Sequence, residues 1–107
     1  MRVLVVQTGC SICHIMLRAV NLFNASKQPH HRIEVVNLLV HYPSYMNDLK
    51  MSVFSEEEIE KGVAVPFLVF DDFVLKRKEI DDGMDHPKEI LELLERLHTE
   101  SLKESIS

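Results

Sequence analysis

The sequence predicts an α/β fold with a four-stranded mixed sheet covered by helices. Three features of its 107 residues lead to this expectation: a β-branched run at the start, a helical apolar stripe directly after it, and two strand-like runs ahead of a second helical stripe. Together they give the order β-α-β-(α)-β-β-α. The first two strands should be parallel because a helix connects them, and the last two should form an antiparallel hairpin.

The first half of the chain predicts a βαβ unit. Residues 2–7 contain the continuous run Val-Leu-Val-Val, which is typical of a strand buried on both faces. Apolar residues then recur at helical spacing over residues 11–23. The polar stretch 24–31 is expected to be a loop, and residues 32–39 the second strand.

The middle of the chain is less regular. Ser55 and Glu58 have the spacing of a capping box, and Gly62 stands where a helix would end, so we expect a short helix over Glu56–Lys61. The preceding stretch, residues 44–51, is either helix or loop, because its apolar residues are too sparse to decide.

The last third predicts a hairpin and a helix. Residues 65–70 form a strand with Pro66 near its start, where a missing N–H is tolerated. After a turn at Asp71-Asp72, we expect the partner strand over residues 73–80, an exposed edge protected by its basic residues 76–78 and ended by residues 81–83.

The closing helix is expected to begin at Asp85-His86-Pro87 and to run to about residue 103. The chain then forms a single domain over residues 1–104, followed by a polar tail over 105–107.

Composition narrows the function. The formal net charge is −5, and the basic residues form no stripe that could neutralise phosphates, so we expect no nucleic acid partner. No apolar run approaches the roughly 20 residues that span a bilayer, and the start of the chain lacks the features of a secretory signal. We expect a soluble, cytoplasmic monomer that does not bind membranes.

The candidate catalytic residues are Cys10 and Cys13, the two cysteines of the chain. They would close a loop too short to stabilise a fold, so in a reducing compartment they are better explained as a reactive pair. If the helix starts near Cys10, its free N–H groups favour the anion of that thiol, which makes Cys10 the nucleophile. Cys13, one helical turn further and on the same side, would be the resolving thiol.

The neighbouring residues also have expected roles. Gly9 lets the backbone turn sharply and leaves Cys10 uncovered. Ser11 and Ile12, between the cysteines, would contact the substrate. His14, four residues after Cys10, is either a modulator of the thiolate or an ordinary surface histidine.

This motif after a strand, together with Val65-Pro66 near the start of a later strand, resembles the thioredoxin/glutaredoxin superfamily over nearly the whole chain. The resemblance implies a thioredoxin-like fold and a thiol–disulfide oxidoreductase without a metal or cofactor. It also implies that Pro66 is cis and faces the cysteines, and that Val65 binds substrate through its backbone. The partners would be disulfide-containing proteins and a thiol donor, either glutathione or a thioredoxin reductase.

The element order is closer to glutaredoxin, but the motifs diverge. The Gly-Gly-x-Asp motif that holds glutathione is replaced by Asp82-Gly83-Met84-Asp85, and the usual charged residue before the first cysteine is replaced by Gln7. The tryptophan of the thioredoxin motif is absent as well. Glutathione stays open as the reductant, although the residues around Gly83 do not support it.

Three other interpretations remain open. The run from Cys10 to His14 has the spacing of a c-type haem attachment motif. Cysteine and histidine are also ligands of zinc and, between two chains, of iron–sulfur clusters, although a second ligand cluster at matching spacing is lacking. Finally, the chain could be a thioredoxin-fold binding module whose cysteines are incidental.

Overall fold

The structure, a computed structural model, describes residues 1–83 and 86–106. It contains the strands β1 (Arg2–Val6), β2 (Glu34–Asn37), β3 (Phe67–Phe70) and β4 (Phe73–Leu75). Its helices are α1 (Ser11–Ala25), α2 (Met46–Val53), α3 (Glu56–Lys61), α4 (Arg77–Gly83) and α5 (Pro87–Ile106), and a short 3-10 helix covers Pro29–His31.

The strands form one mixed sheet in the order β2-β1-β3-β4. β1 runs parallel to β2, with Val3 opposite Glu34, and antiparallel to β3, with Val5 opposite Phe67. β3 and β4 form the predicted hairpin, in which Phe70 pairs with Phe73 across the turn. The predicted α/β class, the four-stranded mixed sheet and its strand directions are therefore confirmed.

Helices cover both faces of the sheet, and alternate residues of β1 enter the two halves of the core. Leu4 and Val6 face one half, together with the buried stripe of α1 and residues of α4 and α5. Val3 and Val5 face the other half, which contains residues from α2 and Phe54. This two-sided burial explains the continuous apolar run at the start of the sequence.

Several predicted elements are confirmed with shifted ends. α1 extends to Ala25. The stretch 44–51, for which the sequence left both helix and loop possible, is largely helical, because α2 begins at Met46. Both hydrogen bonds of the predicted capping box join Ser55 and Glu58. α5 reaches Ile106, so residues 105–106 continue the helix rather than form a tail. The predicted helix cap at Asp85 lies outside the described residues.

One prediction is wrong: residues 77–80, expected to be the second half of a strand, belong to helix α4, which continues to Gly83. β3 is four residues long, and its pairing with β4 ends at Leu68 opposite Leu75. Beyond that point, the Lys76 carbonyl accepts hydrogen bonds from the N–H groups of Glu79 and Ile80. The Glu79 carboxylate in turn accepts from the Lys76 N–H. Without a strand to pair with, the segment satisfies its backbone groups internally, as a helix.

Arg2 of β1 contacts three other parts of the fold: the 3-10 helix, the hairpin turn and α5. Its Nη1 donates to the His31 carbonyl and lies 3.2 Å from Nδ1 of His98, while its Nη2 forms an ion pair with Asp71. The guanidinium also lies 4.0 Å from the ring centre of Phe70. The 3-10 helix, the hairpin turn and α5 are thereby held to β1.

His98 is the one buried polar residue of the described core, with 7% of its surface exposed. Burial lowers its pKa below the ordinary value of 6.5, and the charges of Arg2, His31 and Lys27 lower it further, against a smaller effect of Glu95. The folded chain therefore favours neutral His98.

We expect the protein to lose stability as the pH falls below about 6.5. The unfolded chain binds the His98 proton at that pH while the folded chain resists it, so protonation favours unfolding; above this pH the contribution is fully present. Urea unfolding across pH 5–8 measures the effect. His98→Gln should flatten the curve relative to the wild type, and an unchanged pH dependence in this variant would contradict the assignment.

Ile80→Ala should lower the free energy of unfolding by about 2–5 kcal/mol, because Ile80 is 1% exposed and anchors α4 to the core. Asp82→Ala, at an exposed position of the same helix, is the matched control and should change it by less than about 0.5 kcal/mol. Denaturant unfolding compares the two; similar small effects would show that α4 is not packed as described.

Candidate functional site

Two chain segments meet at one edge of the sheet because of the register between β1 and β3. β1 ends at Val6 and leads through Gly9 to Cys10 at the start of α1. β3 runs in the opposite direction and begins at Phe67, opposite Val5, so Val65 and Pro66 arrive at the same edge. Cys10 and Val65 both pack on the core cluster that contains Cys13.

Cys10 is the N-cap residue of α1. Its backbone is extended, and its Sγ accepts a hydrogen bond of 3.2 Å from the Cys13 N–H. The first turn of α1 carries no acidic residue. A negative charge on Cys10 Sγ is therefore stabilised by a helix N–H and by the positive end of the helix dipole, with no opposing carboxylate in that turn.

Cys13 lies beneath Cys10, with 2% of its surface exposed. Burial raises the pKa of its thiol to about 11, and the hydrogen bond to Cys10 and the charge of that residue act in the same direction. A hydrogen bond with the Gln7 backbone and the positive charge of Arg77 act in the opposite direction and lower the pKa of Cys13. Both cysteines are free thiols in the structure. The pair is thus asymmetric, with one accessible sulfur and one buried, protonated thiol.

The other predicted residues of this segment are distributed around Cys10. Gly9 has a φ of +87°, a conformation that glycine adopts without strain, and no atom would obstruct a side chain there. Ser11 is exposed and Ile12 is half-buried. His14 is exposed, and within the described residues no hydrogen bond joins it to either cysteine. The surface interpretation of His14 is the one that this geometry favours.

The Val65–Pro66 peptide bond is cis, as the resemblance implied. Val65 is half-buried, whereas Pro66 is buried. Direct contact with a bound molecule at this loop would therefore come from Val65 rather than from Pro66.

Arg77 is a residue of the site that sequence reasoning missed. Its Nη1 donates a 2.6 Å hydrogen bond to the Val65 carbonyl, and its Nε donates to both carboxylate oxygens of Asp81 at 3.0 Å. The pKa of Arg77 is raised, first by this bond to Asp81 and also by the nearby Cys10 and Cys13. The four-residue spacing of Arg77 and Asp81 is a helical ion-pair signal that could have favoured the helix, but no local signal links Arg77 to Val65.

Within residues 1–83 and 86–106, no three or more His, Cys, Asp or Glu side chains are grouped to hold a metal ion. In the same ranges, no helix is both long and apolar enough to cross a membrane.

Comparisons with protein-family models, curated proteins and solved structures find no match for this chain. The function is therefore inferred from the geometry of Cys10, Cys13 and the residues around them.

The burial difference predicts selective alkylation of the reduced protein. Iodoacetamide at neutral pH should modify Cys10 at least about tenfold faster than Cys13, because Cys13 is inaccessible and protonated. Peptide mapping by mass spectrometry measures both rates. In denaturant the two rates should converge, and equal rates in the folded protein would refute the asymmetry.

Proposed function

We propose that this chain is a thiol–disulfide oxidoreductase with a thioredoxin-like fold, in which Cys10 is the nucleophile and Cys13 the resolving thiol. The observation that carries the proposal is the N-cap position of Cys10, whose Sγ accepts the Cys13 N–H while the Cys13 side chain lies buried below it. The strand order β2-β1-β3-β4, with helices on both faces, is compatible with that fold.

The first step is attack of the Cys10 thiolate on one sulfur of a substrate disulfide. The Cys10–substrate bond forms, the substrate S–S bond breaks, and the second substrate sulfur leaves as a thiolate that takes up a proton. The Cys13 N–H favours the reactive anion before attack. In this proposal Val65, half-buried just before β3, contacts the substrate chain beside its sulfur.

The second step is attack by Cys13 on the Cys10 side of the mixed disulfide. Cys13 must first lose its proton, which burial opposes because it raises the pKa of this thiol to about 11. The Cys10–Cys13 bond forms, the Cys10–substrate bond breaks, and the departing substrate thiolate takes up a proton, which balances the one that Cys13 lost. Two electrons pass from the dithiol to the substrate, and a thiol donor must return the protein to its dithiol form.

The proposal includes the partners that this cycle needs. The substrates are disulfide-containing proteins or small disulfides, and the donor is either glutathione or a thioredoxin reductase. The cytoplasm is the proposed location, because thiol pools in a reducing compartment keep a reactive cysteine pair in its dithiol form. The chain acts as a monomer.

The two serine variants should separate the two steps. Cys10→Ser should abolish reduction of insulin disulfides by dithiothreitol-regenerated protein, since it removes the nucleophile. Cys13→Ser should retain the first step and accumulate mixed disulfides with the substrate. An insulin-reduction assay measures the loss of activity in Cys10→Ser. Non-reducing electrophoresis detects the mixed disulfides of Cys13→Ser.

Each serine variant is the control for the other, because both remove one thiol from the same turn of α1. Circular dichroism establishes that both are folded. If the wild type reduces no disulfide, or if neither variant differs from it, the proposed oxidoreductase is refuted and the cysteines are incidental to a binding module.

A further inference from the structure

The Val65 carbonyl already has a hydrogen-bond donor within the chain. Arg77 Nη1 donates to it over 2.6 Å, and the guanidinium also binds the exposed Asp81 carboxylate through Nε. An incoming peptide that pairs with the backbone of Val65 therefore meets the guanidinium at this carbonyl. Since Arg77 is 35% exposed, it can be reached from solvent without disturbing the core.

Arg77 also lines a cleft of about 450 Å³ beside the Val65 loop. Its apolar surface comes from Phe54, Val63 and Ala64. Its charged residues are two carboxylates and four cations, namely Glu58, Glu79, Lys61, Lys76, Arg77 and Lys78. With the partners of these cations included, Glu57 of Lys61 and Asp81 of Arg77, four cations face four carboxylates, so the cleft carries no net positive charge.

The cations of the cleft differ in their partners. Lys61 pairs with Glu57, and Lys76 with Glu58 at 3.4 Å. Lys78 is exposed and makes no ion pair among the described residues. Ion pairs on the protein surface contribute little to stability and exchange their partners readily. A carboxylate of a substrate can therefore compete for these cations.

We propose that Arg77 is a specificity residue that selects protein disulfides with an acidic residue beside the target cysteine. This inference rests on the proposed oxidoreductase function. The substrate carboxylate binds the Arg77 guanidinium and draws it away from Val65, and the freed Val65 carbonyl then accepts a backbone N–H of the substrate. Recognition of the acidic side chain and backbone docking are thereby linked at one residue.

The partly exposed Arg77 and the exposed Lys78, rather than the net charge of the cleft, favour an acidic over a basic substrate segment. A carboxylate gains a planar, bidentate partner in the guanidinium and a second cation in Lys78. A lysine at the same substrate position meets Arg77 and Lys78 and leaves the guanidinium on Val65. A neutral substrate forms no ion pair to draw Arg77 away from Val65, so its backbone docking is weaker.

The test uses three peptides that differ in one residue next to a single cysteine, Asp, Asn or Lys, each joined to 2-thiopyridine in a mixed disulfide. Release of pyridine-2-thione on mixing each peptide with an excess of the reduced wild-type protein, without added reductant, measures the second-order rate constant of the attack by Cys10. We expect the Asp peptide to react about tenfold better than the Asn peptide, a difference of roughly 1.4 kcal/mol in transition-state stabilisation. The Lys peptide should be the poorest substrate.

In Arg77→Gln the ratio of the rate constants for the Asp and Asn peptides should fall to near one, even if both rate constants change. The ratio separates specificity from any general effect of the Arg77 charge on the two thiols. Lys103→Gln removes an exposed cation near the end of α5, outside the cleft, and should keep the wild-type ratio. A ratio near one in the wild type, or a tenfold ratio that survives in Arg77→Gln, would overturn the proposal.

A binding measurement separates this inference from the proposed activity. The Cys10→Ser/Cys13→Ser protein is titrated with reduced Asp and Asn peptides and followed by NMR, with and without Arg77→Gln. If the wild type reduces no peptide but the Asp peptide still binds in an Arg77-dependent manner, the acidic recognition stands and the oxidoreductase does not. If binding shows no dependence on Arg77, the acidic recognition is refuted even where disulfides are reduced.

Discussion

β1 is hydrogen-bonded along both edges, in parallel to β2 and antiparallel to β3, and its side chains are buried on both faces. The arrangement of the site follows from this. Because the antiparallel register sets Val5 opposite Phe67, the residues before β3 arrive beside the residues after β1. Cys10 and Val65, which are 55 positions apart in the sequence, thereby reach one sheet edge. A slip of one residue in this pairing would reverse the faces of β3 and remove the site together with the core.

The chemistry of the site comes from unequal surroundings of two identical side chains. Cys10 stands at the helix terminus, where an N–H group meets its sulfur, while Cys13 is enclosed by the core one turn later. Burial disfavours the charged form of Cys13 and keeps its proton in place. In the proposed oxidoreductase this difference sets the order of attack, with the accessible Cys10 first and the buried Cys13 second.

Arg77 connects the fold to this chemistry. It is placed by α4, which forms because β4 has no pairing partner beyond Leu75 and because Ile80 can be buried. From that helix the guanidinium reaches the Val65 carbonyl and adds positive charge near both thiols. The proposed preference for acidic substrates and the proposed disulfide chemistry thus depend on the same short helix, although they are measured separately.

The elements with strong local signals could be predicted from the sequence without the structure. The buried run of β1, the stripe of α1 and the capping box of α3 were predictable because each depends on neighbours within about one or two helical turns. The cysteine pair was predictable for the same reason. Only the tertiary structure shows that the strand pairing stops at Leu75, that Arg77 binds Val65 and that Arg2 reaches His98. Each of these depends on contacts between distant segments or on where a neighbouring strand ends, and local residue patterns carry no information about either.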